Sequence, residues 1–118
     1  MSESQRLPAS CFLDTWTNND WTGGLQINSL DDMSTIHVRT VYSLYEITVI
    51  DRGNRDVLVR GGRFFPEWTP AVVAGCSLGG SFLKVGGVYV GFSMELISGE
   101  QTIITSRIQS IDTNPTTR

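Results

Sequence analysis

Residues 88–97, VYVGFSMELI, place Val88, Val90, Phe92, Met94 and Leu96 on one side and Tyr89, Gly91, Ser93 and Glu95 on the other. A period of two predicts a half-buried β-strand. Residues 98–101 (SGEQ) then form a tight turn. Residues 102–111 follow, rich in β-branched side chains, with Ile104 and Ile108 in phase. The two segments together predict a C-terminal hairpin.

A second hairpin is predicted upstream. Residues 42–50 and 57–65 flank the loop DRGNRD at 51–56, which is made of turn formers. Residues 36–40 extend its first strand or form one just before it. Apolar positions in this hairpin fall on both faces, as in a strand buried on two sides or one broken by a bulge. Residues 69–75, TPAVVAG, carry the best helix signal in the chain. Threonine can cap, proline suits the first helical position and glycine suits the end. At most one short helical turn is expected there.

The first 30 residues are polar and acidic. Within them, Asn18-Asn19 in a two-residue turn would set Trp16 across from Trp21. Residues 1–10 and 112–118 are expected as disordered tails. The fold class is therefore all-β: one domain over 1–118, with five to seven short antiparallel strands in a small barrel or a compact two-sheet sandwich.

Composition narrows the function more than the fold. The chain has 118 residues, 40% hydrophobic and 18% charged, with net charge −3. That charge opposes generic binding to nucleic-acid backbones. Residues 51–63 form a local basic window, with Arg52, Arg55, Arg60 and Arg63 against Asp51 and Asp56. Lysine occurs once, at Lys84, against eight arginines, a bias of the kind a GC-rich bacterial genome produces. The two cysteines, Cys11 and Cys76, and the single histidine, His37, do not make a four-ligand zinc set. No metal or cofactor is expected. The opening MSESQRLPAS has no apolar core of the signal-peptide kind, and no run is long enough for a bilayer. These features predict a cytoplasmic protein with reduced cysteines and no membrane partner.

Seven of the twelve glycines lie in residues 61–87. Gly61-Gly62 interrupts a strand pattern, as at a bulge or a barrel corner. A one-residue bulge there would bring Arg60 and Arg63 to one face as an anion clamp. The turn at 75–81 (GCSLGGS) could expose backbone N–H groups through Ser77, Gly79, Gly80 and Ser81. It lacks the lysine of a phosphate-binding P-loop and the GxGxxG pattern of dinucleotide folds.

Ser77-Leu78-Gly79-Gly80, followed by Phe82-Leu83-Lys84 and an alternating hairpin, resembles part of the PilZ domain. The resemblance implies a small β-barrel that binds cyclic di-GMP through an RxxxR motif and a [DN]xSxxG motif. Ser77 and Gly80 match the second motif, but Gly75 stands at its acidic or amide position. The arginines are spaced RxxR, at 52/55 and 60/63, inside the second hairpin. Both ligand motifs depart from the pattern, and the family is not assigned.

Three functions follow in order. The first is a non-catalytic binding or assembly module that self-associates, with Phe65, Trp68, Trp16 and Trp21 as interface candidates. The second is a binder of a small anion or nucleotide using Arg60, Arg63 and the 75–81 turn. The third is a cysteine enzyme using Cys76 and His37; no catalytic residue is assigned. His37 lies on the polar face of its strand with Arg39, opposite Ile36 and Val38.

Overall fold

The computed structural model describes residues 23–113. Nine strands succeed one another: β1 Gly24–Gln26, β2 Thr35–Thr40, β3 Leu44–Asp51, β4 Asp56–Gly61, β5 Phe65–Leu78, β6 Ser81–Val85, β7 Gly87–Tyr89, β8 Ser93–Ser98 and β9 Gln101–Asp112. Six of them close a ring in the order β4-β3-β2-β9-β8-β5, with β5 pairing back onto β4. All pairings are antiparallel. Of the two architectures compatible with the sequence, the molecule is the barrel. Strand β6 hangs on β5 outside the ring. Strands β1 and β7 form a separate two-stranded ladder, and the 3-10 turn Ile27–Ser29 after β1 drops Ile27 into the core.

Closure depends on the 14 residues of β5. One edge of β5 pairs with β4 from Phe65 to Val72, then with β6 from Gly75 to Leu78. The other edge pairs with β8. Gly75 sits at the changeover with φ 148, and a Cβ there would collide with the Lys84 carbonyl. Only glycine allows this backbone and this approach. Gly61, at φ 135, is in the same position against Leu44 and Tyr45 at the opposite end of the barrel. Gly61-Gly62 thus opens the β4–β5 hairpin turn, and the pairing shifts register between Val59 and Gly61 with the extra residues on β5.

The core follows the period of two. Ile36 and Val38 of β2, Tyr45, Ile47 and Val49 of β3, and Val57 and Val59 of β4 point inward and are buried. Phe65, Val73, Met94, Leu96 and Ile108 belong to the same cluster, with Ile27, Ala71, Val88 and Ile103. Burying each aliphatic side chain contributes about 1.5–3 kcal/mol. The β3–β4 hairpin buries one face only. Its second apolar set, Leu44, Ile50 and Leu58, points outward, half-buried or exposed.

Four expectations are corrected. Residues 69–75 are strand, because Ala71 and Val73 alternate inward against β4 and β8 and override the capping signals. The alternating run at 88–97 is two strands, β7 and β8, broken where Gly91 takes φ 95 and leaves Val90 exposed. Ile104 is 47% exposed while Ile108 is 1% exposed, because a register shift between Ser93 and Glu95 reverses the facing of β9. Residues 36–40 lie in β2, just before the hairpin, which is the second of the two alternatives read from the sequence. Strand β9 runs through Asp112, which pairs with His37, so the first residue of the expected tail is strand. Residues 1–10 and the Trp16–Trp21 hairpin lie outside the described residues.

Among the described residues, no helix is long and apolar enough to cross a membrane.

Ile47→Ala should lower unfolding free energy by about 2–5 kcal/mol, the range for a fully buried aliphatic truncation, with Ile104→Ala costing much less. Urea titration followed by tryptophan fluorescence measures both.

Candidate functional site

Cross-strand register assembles a polar ladder on the outside of the barrel. His37 pairs with Glu46 across β2–β3, and Glu46 with Arg60 across β3–β4. The Glu46 carboxylate accepts from Arg60 Nε at 2.7 Å, and Arg60 Nη2 lies 2.6 Å from the same oxygen. His37 Nε2 lies 3.5 Å from the other carboxylate oxygen. The Arg60 guanidinium also stacks over Trp68, 4.6 Å from the ring centroid. Arg60 is thus occupied by one carboxylate and one indole.

Arg63 is exposed in the β4–β5 turn, outside this ladder. The 75–81 turn is farther still. Trp68, under Arg60, and Ser77 stand nine residues apart on β5, about 30 Å of extended chain at roughly 3.3 Å per residue. The two halves of the expected anion site occupy opposite ends of one strand.

Ser77 is fully buried. Its hydroxyl donates to Glu95 Oε2 at 2.5 Å and accepts the Gly80 N–H at 2.9 Å. The serine therefore closes its own turn and anchors a carboxylate on β8. The Gly80 N–H that could have faced an anion is already used. Gly79 and Gly80 take φ 63 and φ 97, and Gly79 has nothing within 4 Å of a built Cβ. Positive φ is what these positions require. Ser81 is exposed at the start of β6.

Cys76 lies in a second buried cluster with Leu78, Tyr89 and Phe92. Burial pushes its thiol up to about 11, against smaller lowering effects from a hydrogen bond to the Tyr89 backbone and from Lys84. A nucleophilic thiolate needs the opposite shift. His37 is on the outer face of β2, which β9 and β8 separate from β5 around the ring. The two residues do not form a thiol–imidazole pair.

Of the interface candidates, Phe65 is 1% exposed and belongs to the core. Its neighbour Phe64 is 52% exposed, so the pair divides between plug and rim. Trp68 is 39% exposed beneath Arg60. Trp16 and Trp21 lie outside the described residues.

One apolar surface feature was not singled out by the sequence. An open groove of about 540 Å³ crosses the outer ends of β3, β4, β5 and β8. Ile50, Leu58, Pro70, Val72 and Ile97 line it, with Asp56 as its one charged residue. Register explains the clustering: Leu58 pairs with Pro70, and Val72 pairs with Asp56 on one side and Ile97 on the other. The signal available in sequence was the apolar occupancy of both faces at 42–50 and 57–65.

Comparison with protein-family models, with curated proteins and with solved structures returns no match. The partial likeness to PilZ gains no support from these comparisons.

Two outcomes follow. Arg60→Ala should cost about 1 kcal/mol of stability, as expected for an exposed ion pair with a stacked ring, whereas Arg63→Ala should stay within about 0.5 kcal/mol of wild type; thermal denaturation compares them. For Cys76, the folded state keeps the thiol proton at pH values where the unfolded chain, with a thiol near 8.5, has lost it. Stability should therefore be insensitive to this group below about pH 8 and fall as pH rises from about 9 towards 11. Cys76→Ala should lack that component. Iodoacetamide should leave native Cys76 unmodified near neutral pH and label it in denaturant.

Proposed function

We propose that the chain is a non-catalytic β-barrel assembly module that self-associates through its apolar outer surface. The observation that carries this reading is the groove lined by Ile50, Leu58, Pro70, Val72 and Ile97, open on the outside of a barrel whose interior is already filled. Contiguous apolar surface of roughly a few hundred Å² or more marks an interaction site. A second copy is a suitable occupant, because the same chain exposes further apolar side chains, Leu83, Val85 and Ile104 among them. Asp56 is the one charge that such a contact would have to leave at its rim. Most protein oligomers are homo-oligomers of closed symmetry.

Binding of a small anion by Arg60, Arg63 and the 75–81 turn is less well supported. It would require Arg60 to leave Glu46 and Trp68, and would require the turn to release the Gly80 N–H. No observation favours a thiol enzyme.

Size-exclusion chromatography with light scattering of the full chain, over a wide concentration range, tests the reading. A dimer or higher oligomer is expected, and Ile97→Asp should shift it towards monomer with little change in melting temperature. A strict monomer at every concentration overturns it.

A further inference from the structure

We infer that the groove of one copy receives the β4–β5 turn of a second copy, with Phe64 seated among the apolar side chains and Arg63 paired to Asp56. The inference rests on the reading of the groove as a self-association surface and names what enters it.

One hairpin carries both halves of this contact. Asp56 pairs with Val72 at the groove, and Gly61 pairs with Phe65 beside the turn. The paired length of β4 and β5 separates the two features, so a turn does not reach the groove of its own hairpin.

The turn projects and is held in shape. Phe65 is 1% exposed in the core, and Phe64 before it is 52% exposed. Gly61 and Gly62 both take positive φ, 135 and 62. A Cβ at Gly61 would meet the Leu44 carbonyl, and one at Gly62 would meet the Tyr45 ring. A tip fixed in this way gives up little freedom on docking.

Charge selects this turn as the occupant. Asp56 is the one charged residue lining the groove, and its carboxylate has no hydrogen bond or ion pair among the described residues. Arg52, Arg55, Arg60 and Arg107 are each engaged within the chain. The exposed Arg63 is not. Arg39 is likewise unengaged, but it lies within β2 and does not project as a turn does. Lys84, beside the exposed Leu83 and Val85, already has a partner. An apolar groove with one carboxylate is complemented by an exposed ring with one free cation next to it, and Arg63-Phe64 is that pair. Arginine meets a carboxylate through two parallel hydrogen bonds, and an aromatic ring with an arginine is the usual anchor of an interface. The groove, at about 540 Å³, has room for the ring. The contact compensates Asp56 at the rim.

Because the two patches are different residues, each can be spoiled alone. Phe64→Asp removes the inserted ring and keeps the groove; Ile97→Asp spoils the groove and keeps the ring. Both positions are exposed, so both variants should fold with melting temperatures near wild type. Each alone should raise the dissociation constant about tenfold or more. An equimolar mixture should associate more tightly than either variant alone, with one chain of each kind in the complex by native mass spectrometry. Arg63→Asp and Asp56→Arg should each weaken association, and the chain carrying both should recover it. If Ile97→Asp dissociates while Phe64→Asp and Arg63→Asp assemble like wild type, another surface fills the groove: the turn is overturned and the self-association reading stands. A mixture that stays apart, with no recovery in the charge-swapped chain, also overturns the turn. If wild type is monomeric at every concentration, both readings fall.

Discussion

The barrel depends on a single strand having two neighbours in succession along one edge. Strand β5 gives its first half to β4, which closes the ring, and its second half to β6, which leaves it. The handover occurs at Gly75, where the Lys84 carbonyl occupies the space of a side chain. Without that approach β4 and β6 could not share an edge. The ring would either open or lose the appended strand. The glycine enrichment of residues 61–87 is therefore largely a matter of curvature and close packing. Gly61 does at one end of the hairpin what Gly75 does at the other, and the turn glycines 79 and 80 supply positive φ.

The same geometry divides the surface into two kinds. On the β2–β4 side, charges at matched register neutralise one another in the His37–Glu46–Arg60 ladder, with Trp68 stacked against its last member. Such a ribbon is self-satisfied and offers little to a ligand. On the β5–β8 side, Pro70, Val72 and Ile97 present an apolar surface, and the Ser77–Glu95 hydrogen bond lies farther along the same two strands. One surface has its chemistry completed internally, and the other does not. That contrast is the physical basis for placing function on the apolar side.

The fold class and both hairpins were legible because inward and outward positions alternate over strands long enough to show a period. Ile36, Val38, Ile47, Val49, Val57 and Val59 all lie where that period puts them. The errors have a common cause. Residues 69–75 carry good capping chemistry, yet the pairing of both edges of β5 outweighs a single helical turn, which has little stability of its own. The facing of Ile104 and the break at Val90 depend on a bulge and on a positive φ that adjust pairing by one residue, and periodicity is blind to such shifts. The site was less legible than the fold. Glu46, Arg60 and Trp68 are far apart in sequence and meet only through register, as do the groove residues. Ser77 looked like a ligand contact because a buried serine that caps its own turn has the same local sequence as an exposed one.

The ring also has a seam. Strands β2 and β9 meet with Val38 opposite Ile111 and His37 opposite Asp112, the most distant strand pairing along the chain among the described residues. The β2–β3, β3–β4, β4–β5 and β8–β9 contacts are all hairpins and can form locally. The seam must bring together nearly the whole described polypeptide, at the largest cost in loop entropy. Contacts of high sequence separation are slow to form. The barrel would thus be made of early hairpins and a late joint, and until that joint closes, β2 and β9 are the strands whose edges stand open to other molecules.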